Sequence, residues 1–280
     1  MSAGGYSPSP RPTFDRPAAI PGHAATRHIW GDAEAGFVAD RIYASTGLIH
    51  ALVFELPAGG AFRHSPEFRT VFGADEVLHV LEGTMVAANP ETGEVHRIGR
   101  GERLFFRKDT WHHAYAHGGE PLRVLELFAP PPSAGTSGAY ARERPDIERS
   151  RYADDAALGS VPGWVPERVT LRPLTPADTV WRRELGVLEG VVASTEQLTV
   201  VTLEINPGEA AAEHAHGGDE VLYVLRGTLW VRAWHEDATY VFELGADDAC
   251  YLPAGARHEY RNYGTEIAEA LAGIAPQYAP

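Results

Sequence analysis

Cysteine is nearly absent: a single residue, Cys250, stands in 280. One thiol cannot close an internal disulfide, so the core must hold the fold, and a reducing compartment fits. Cys250 sits in a strand-like run and reads as a small buried residue rather than a reactive thiol. Basic residues are also in short supply, with 24 Lys and Arg against 38 Asp and Glu and a formal net charge of −14. A surface of that sign does not attract nucleic acid or an anionic membrane. No run of about 18 apolar residues occurs and the N-terminus carries no apolar signal core, which predicts a soluble, cytoplasmic protein. Methionine is limited to two and lysine is rare, against abundant Ala, Arg, Gly and Pro. That bias fits a GC-rich bacterial genome. What remains is ordinary globular material, 44% hydrophobic and 22% charged, in a length that allows one large domain or two of usual size.

Periodicity divides the chain. Residues 1–28 combine Pro, Ser and Gly without apolar rhythm and read as a flexible arm, with His23 and His28 solvated. From Phe37 onward short strand patterns follow one another: Phe37–Ala44, Leu48–Leu56, Glu76–Leu81, Met85–Ala88, Val95–Ile98, Leu104–Phe106 and Leu122–Phe128. Turn signals separate them every eight to twelve residues, the mark of a β-sandwich or barrel. The stretch 131–180 is rich in Pro, Gly, Ser, Arg and Asp and reads as a connector, with one helical turn near Ala153–Leu158. Strand patterning resumes at Gly186–Ala193 and runs to Ile267–Ile274. The expected divisions are an arm over 1–28, a first barrel over 29–130, the connector, and a second barrel over 181–280.

The two patterned halves repeat each other. GADEVLHVLEGT, from Gly73, lies over GGDEVLYVLRGT, from Gly217, at an offset of 144. Within the second copy, His214 and His216 are two apart, so on extended chain both imidazoles point the same way. Glu220 follows across a Gly-Gly turn and opens the strand-like run Val221–Leu225. Downstream, Pro253-Ala254-Gly255 is a turn that leads to His258 on another short strand. Three imidazoles and one carboxylate hold a divalent transition metal and leave positions open for substrate or O2. Without an ion, four such groups facing one another in a barrel would be costly.

The order Gly208, His214-x-His216, Glu220, Gly227, then Pro253-x-Gly255-x-x-His258-x-x-x-Asn262, resembles the two signature motifs of the cupin superfamily. That resemblance implies an all-β fold of two tandem jelly-roll barrels, a bicupin, with a metal held by His214, His216, Glu220 and His258. One departure is visible, since Asp247 stands where the second motif usually begins with glycine. In the first half, superposing the Pro57 and Pro207 turns puts His64 over His214 and Pro66 over His216, while Glu76 matches Glu220, His112 matches His258 and Gly101 matches Asp247. The first half therefore offers His64, Glu76 and His112 for a second metal and lacks the second His of the pair. His79, three residues after Glu76, points to the opposite face of its strand as an exposed or interface residue, and His113 faces away from His112. Tyr260, two residues after His258, is the nearest candidate for a proton donor.

The resemblance also sets expectations for chemistry. The leading one is an oxidoreductase of dioxygenase type that uses O2 on a small organic acid, phenolic or polyketide-like molecule, of the kind found in bacterial secondary metabolism. Iron comes first among Fe, Mn, Ni, Cu and Zn. The same site acting only as an electrophile gives an isomerase, a decarboxylase or other lyase, or a cyclase. A ligand-binding bicupin without catalysis is the third reading, and homo-oligomers through barrel faces are compatible with all three.

Overall fold

The computed structural model describes residues 9–32, 36–62, 72–89, 92–108, 110–131, 170–184 and 186–279. The first half runs through β2 (Thr26–Asp32), β3 (Gly36–Ser45), β4 (His50–Leu56), β5 (Ala61–Phe62), β6 (Asp75–Glu82), β7 (Thr84–Asn89), β8 (Glu94–Gly99), β9 (Arg103–Phe106), β10 (His113–Ala116) and β11 (Leu122–Ala129). The second half answers with β13 (Val180–Glu184), β14 (Val187–Ser194), β15 (Thr199–Ile205), β16 (Asp219–Arg226), β17 (Leu229–His235), β18 (Ala238–Leu244), β19 (Ala249–Leu252), β20 (Arg257–Arg261) and β21 (Ala268–Ala275). Each half folds six strands of a seven-stranded antiparallel sheet over a smaller sheet, with strand order β9-β6-β11-β4-β3-β2 in the first and β19-β16-β21-β15-β14-β13 in the second. The all-β, two-barrel jelly-roll architecture expected from the repeat is the one observed.

The period-2 pattern decides which face each residue takes. On β6, β4 and β11, Leu78, Val80, Leu52, Phe54, Val124 and Phe128 fill the first barrel. The alternate positions Val77, Ala51, Val53, Leu125 and Leu127 face out, and there they meet Val200, Val221, Tyr223 and Leu271 of the second half in one shared core. The glycines that close the repeated tract are required by geometry. Gly83 and Gly227 have φ of 77° and 75°, and a Cβ would come within 2.4 Å of the Pro121 carbonyl oxygen and 2.7 Å of that of Ile267.

Two short strands cross between the halves. β1 (Ala18–Ile20) precedes the first barrel yet pairs with β19 of the second, and β12 (Arg172–Leu174) precedes the second barrel yet pairs with β9 of the first. Each covers an edge that would otherwise be open. The arm expected to be flexible over 1–28 therefore supplies β1 and the start of β2, because its three-residue strand finds its partner more than 220 residues downstream. His28, expected to be solvated, lies on β2 opposite Asp40, with its Nε2 buried. The helical turn expected near Ala153–Leu158 lies outside the described residues.

Polar ties reinforce the shared core. Asp247 adopts φ of 69°, the left-handed region that Asp tolerates, in the place where glycine was expected. Its backbone carbonyl accepts from the Tyr43 hydroxyl at 2.8 Å, its Oδ1 accepts from the Tyr223 hydroxyl at 2.6 Å, and its carboxylate pairs with Arg123 at 3.2 Å. Thr46 donates to Asp219 at 2.8 Å across the same seam. His79, on the outer face of β6, is buried at 5% exposure, which fits the interface alternative for that residue.

The buried state of His79 makes the seam acid-sensitive. Burial, then the nearby Arg103 cation, holds its pKa down to about 3. A histidine in the unfolded chain takes up a proton near pH 6.5, so the stability is present above about 6.5 and is lost as pH falls from there towards 3. Replacing His79 with Phe should shrink the fall in melting temperature between pH 7.5 and 5.5, by an amount equivalent to about 1 kcal/mol. Equal falls in the two proteins would contradict this reading.

Candidate metal centre

Backbone pairing sets the positions of the four expected ligands in the second barrel. His214 and His258 face each other across an antiparallel bridge, with N–O distances of 2.9 and 2.8 Å in the two directions. The His216 carbonyl accepts from Gly255 N at 2.8 Å, which ties the approach segment to the turn before His258. Glu220 enters on the inward face of β16, opposite Leu252 and Ile274. As a result, the ligand nitrogens of His214, His216 and His258 lie within 4.8 Å of one another. Glu220 Oε2 stands 3.2 Å from His258 Nε2 and 3.6 Å from His216 Nε2.

Every imidazole is oriented by a backbone carbonyl at its other nitrogen. Nδ1 faces Ala212 O at 2.8 Å in His214, Tyr278 O at 2.6 Å in His216 and Ala256 O at 2.9 Å in His258. A carbonyl only accepts, so each Nδ1 carries the proton and each Nε2 presents its lone pair to the interior. His258 Nε2 and Glu220 Oε2 are both buried without a hydrogen-bond partner. Two acceptors 3.2 Å apart repel unless a cation lies between them. Cis ligands about 2.1 Å from one metal stand about 3 Å apart, so the donor set fits a divalent ion.

Electrostatics keep His214 and Glu220 in a form that can bind a cation, while His258 is drawn toward its protonated form by the same carboxylate. Burial, with His258 next, lowers His214 to about 4, which leaves it neutral at pH 7. Burial would raise Glu220, but His258, His216 and the Tyr260 hydroxyl outweigh it and hold the carboxyl at about 2. Burial would likewise lower His258, and the Glu220 carboxylate outweighs that and raises it. Tyr260, expected as a proton donor, is fully enclosed and donates to Glu220 Oε1 at 2.5 Å. It touches a ligand, and its hydroxyl proton is already engaged.

Three further residues were not found by sequence reasoning. The tail after β21 folds back so that the Tyr278 ring lies 4.7 Å from that of His216, and its hydroxyl donates to the buried Glu189 at 2.9 Å. Arg182 Nε donates to the same carboxylate at 2.9 Å, and its guanidinium lies 5.1 Å from the Tyr278 ring. Glu189 is inward on β14 and buried, whereas Arg182 and Tyr278 are half-buried. Sequence held one signal for Glu189: by the offset that aligns Ala44 with Ala193, it falls on Asp40, also buried.

The first barrel assembles a different set. Glu76 and His112 are brought together as expected, and His64 lies outside the described residues. Their companion is Glu126 of β11, with ligand atoms of all three within 4.8 Å. Burial, then the facing Glu126 carboxylate, raises Glu76 far above the usual carboxylate range, and burial raises Glu126 to about 7. Burial lowers His112 to about 4.

Comparison with known proteins gives a consistent picture. Residues 201–273 match the family described as Cupin domain. "Polyketide synthase CurC" of Streptomyces cyaneus is 36% identical over 73 residues, 26% of this chain and 45% of that protein, so the match spans less than half of that relative. The oxalate decarboxylase of Lactobacillus farciminis, solved as a formate complex, superposes with a TM-score of 0.63 at 17% identity, over 93% of this chain and 87% of that one. Bacillus subtilis oxalate decarboxylase, in a structure devoted to its Mn(II) centres, gives 0.64 at 12% identity, over 96% and 80%. At these identities the structural likeness is one of fold. Among the described residues no helix is long and apolar enough to cross a membrane.

The Tyr260 contact makes a direct prediction. Tyr260→Phe removes the donor to Glu220 Oε1 and should weaken metal affinity by about 10- to 100-fold, read by competition with a chelator. An unchanged affinity would show that the hydroxyl does not position the carboxylate.

Proposed function

We propose, for a chain that belongs to the cupin superfamily and carries two cupin barrels, that it is a metal-dependent enzyme of lyase type. It cleaves or rearranges a small organic acid or an enolisable, polyketide-like substrate without net consumption of O2. The observation that carries this reading is the convergence of three Nε2 lone pairs and Glu220 Oε2 in an enclosed site. The decarboxylase alternative takes precedence over the oxygen-using one expected from sequence, because the solved structures that resemble nine-tenths of the chain are named as oxalate decarboxylases. Manganese replaces iron as the first choice, on the Mn(II) centres named for one of those proteins. The polyketide-like substrate class draws its support from the Streptomyces relative, over the second barrel only.

His214, His216, His258 and Glu220 hold the ion. A divalent metal bound by three neutral imidazoles and one carboxylate keeps a net positive charge and supplies a Lewis acid for a carboxylate or enolate oxygen. The chain's own contribution is preorganisation. Backbone carbonyls fix the three rings, Tyr260 fixes one carboxylate oxygen of Glu220, and the Tyr278 ring roofs His216. On the outer wall the buried Glu189 carboxylate is held by Arg182 and by the Tyr278 hydroxyl, which fixes the ring that covers His216. The apolar interior behind the ligands, Leu222, Leu252 and Ile274, excludes water from the reacting face.

The test is turnover with oxygen bookkeeping. Protein loaded with Mn2+ is offered oxalate and β-keto acids while CO2 release and dissolved O2 are followed together. CO2 release with dissolved O2 unchanged, and a loss of more than about 100-fold in His258→Ala, is expected. One O2 consumed per turnover, or activity indifferent to His258→Ala, would overturn the proposal.

A further inference from the structure

The turns that follow β8 and β18 are one turn in two copies. Glu102 N donates to Gly99 O at 3.0 Å and Gly101 N to Val80 O at 2.8 Å, as Asp248 N donates to Gly245 O at 3.1 Å and Asp247 N to Val224 O at 3.0 Å. In the second copy Asp247 puts a carboxylate on the seam, where Oδ1 accepts from the Tyr223 hydroxyl and Oδ2 pairs with Arg123. In the first copy Gly101 brings no side chain, and a Cβ built there would have no atom within 4 Å. His79 stands at the register of Tyr223: it lies opposite Arg103 of β9 as Tyr223 lies opposite Ala249 of β19. The first turn therefore keeps the space of a carboxylate without the carboxylate.

The groups beside that space have unmet donors. His79 is 5% exposed with its Nδ1 buried and without a hydrogen-bond partner, and Arg103 is 7% exposed with its Nε in the same condition. Burial lowers the Arg103 guanidinium from its ordinary value, and Glu269 across the seam works against that. Glu269 has the register on β21 that Arg123 has on β11, and its carboxylate is held by Arg226 at 2.9 Å. A buried cation with an unpaired donor is costly, and an anion bound beside it offsets that cost. The missing side chain indicates which anion. A planar carboxylate offers two acceptor oxygens, which suit one N–H from a guanidinium and one from a neutral imidazole.

We propose that the turn at Gly101 is a binding site for a small carboxylate anion, which occupies the place that the Asp247 side chain holds in the other half and accepts hydrogen bonds from Arg103 and His79. The site lies on the seam, outside both barrel interiors, and shares no residue with the four converging ligands of the second barrel. It does not require the function proposed above.

Sodium acetate is the probe, with inorganic phosphate as a bulkier anion and sodium chloride at matched ionic strength as the baseline. The full chain is titrated at pH 7.5, as purified and after treatment with a chelator, and read by melting temperature and by calorimetry. Wild type should gain about 2–4 °C, saturably, at acetate about tenfold above its dissociation constant, with or without metal. Gly101→Asp places the carboxylate on the chain, at a left-handed turn position of the kind that Asp247 already occupies with φ of 69°. Arg103→Met keeps the aliphatic length and removes the charge. Each variant should bind acetate at least about tenfold more weakly than chelator-treated wild type. Unchanged acetate affinity in folded Gly101→Asp or Arg103→Met would overturn the proposal. So would the absence of a saturable gain in chelator-treated wild type, which would show that Glu269 alone neutralises Arg103, and so would tighter binding of phosphate than of acetate.

Discussion

Three imidazole nitrogens and a carboxylate oxygen meet inside the second barrel, where Glu220 Oε2 stands 3.2 Å from His258 Nε2 and 3.6 Å from His216 Nε2. The three imidazoles are turned by backbone carbonyls of residues 212, 256 and 278, so their lone pairs converge on the Glu220 carboxylate whether or not the protein gains from it. That is an electrostatic cost in an apolar enclosure, and a cation bound between them offsets it. Much of the local architecture follows from it. The bridge between His214 and His258, the Gly255 turn and the returning tail at Tyr278 are the elements that aim donors into one point.

The repeat allows each barrel to be read against the other. Equivalent registers give Glu220 and Glu76, His258 and His112, and, further out, Glu189 and Asp40. The two differ by one strand in the smaller sheet, which β5 extends in the first half, and at single inner and seam positions: Ala272 against Glu126 inside, Tyr223 against His79 on the shared seam. The crossed strands β1 and β12 and the Asp247 contacts tie the barrels into one cooperative body, so neither barrel's sheet is complete without chain from beyond its own repeat.

The strands of both repeats were legible because inward and outward residues alternate and glycines that need positive φ punctuate them, as Gly83 and Gly227 do. The four candidate ligands could be picked out because their spacing is local, with only His258 arriving from a second motif. What could not be read was set by distance along the chain. Tyr278 reaches Arg182 across 96 residues and His216 across 62, and no pattern around Tyr278 announces a ligand wall. β1 and β12 are three residues each, too short for any period, and belong to the sheet of the other half. Glu126 was hidden by its strand, which carries no motif, and only the register of β11 against β4 and β6 turns it inward.

The central claim is that the converging lone pairs of the second barrel are metal ligands. Anomalous X-ray scattering at the absorption edge of the bound metal, in crystals of protein grown with Mn2+, tests it most directly. A peak about 2.0–2.2 Å from Nε2 of His214, His216 and His258 and from Glu220 Oε2 is predicted. A fully ordered second barrel with no anomalous density between those four atoms, and His258 hydrogen-bonded to Glu220 as an imidazolium instead, would contradict it.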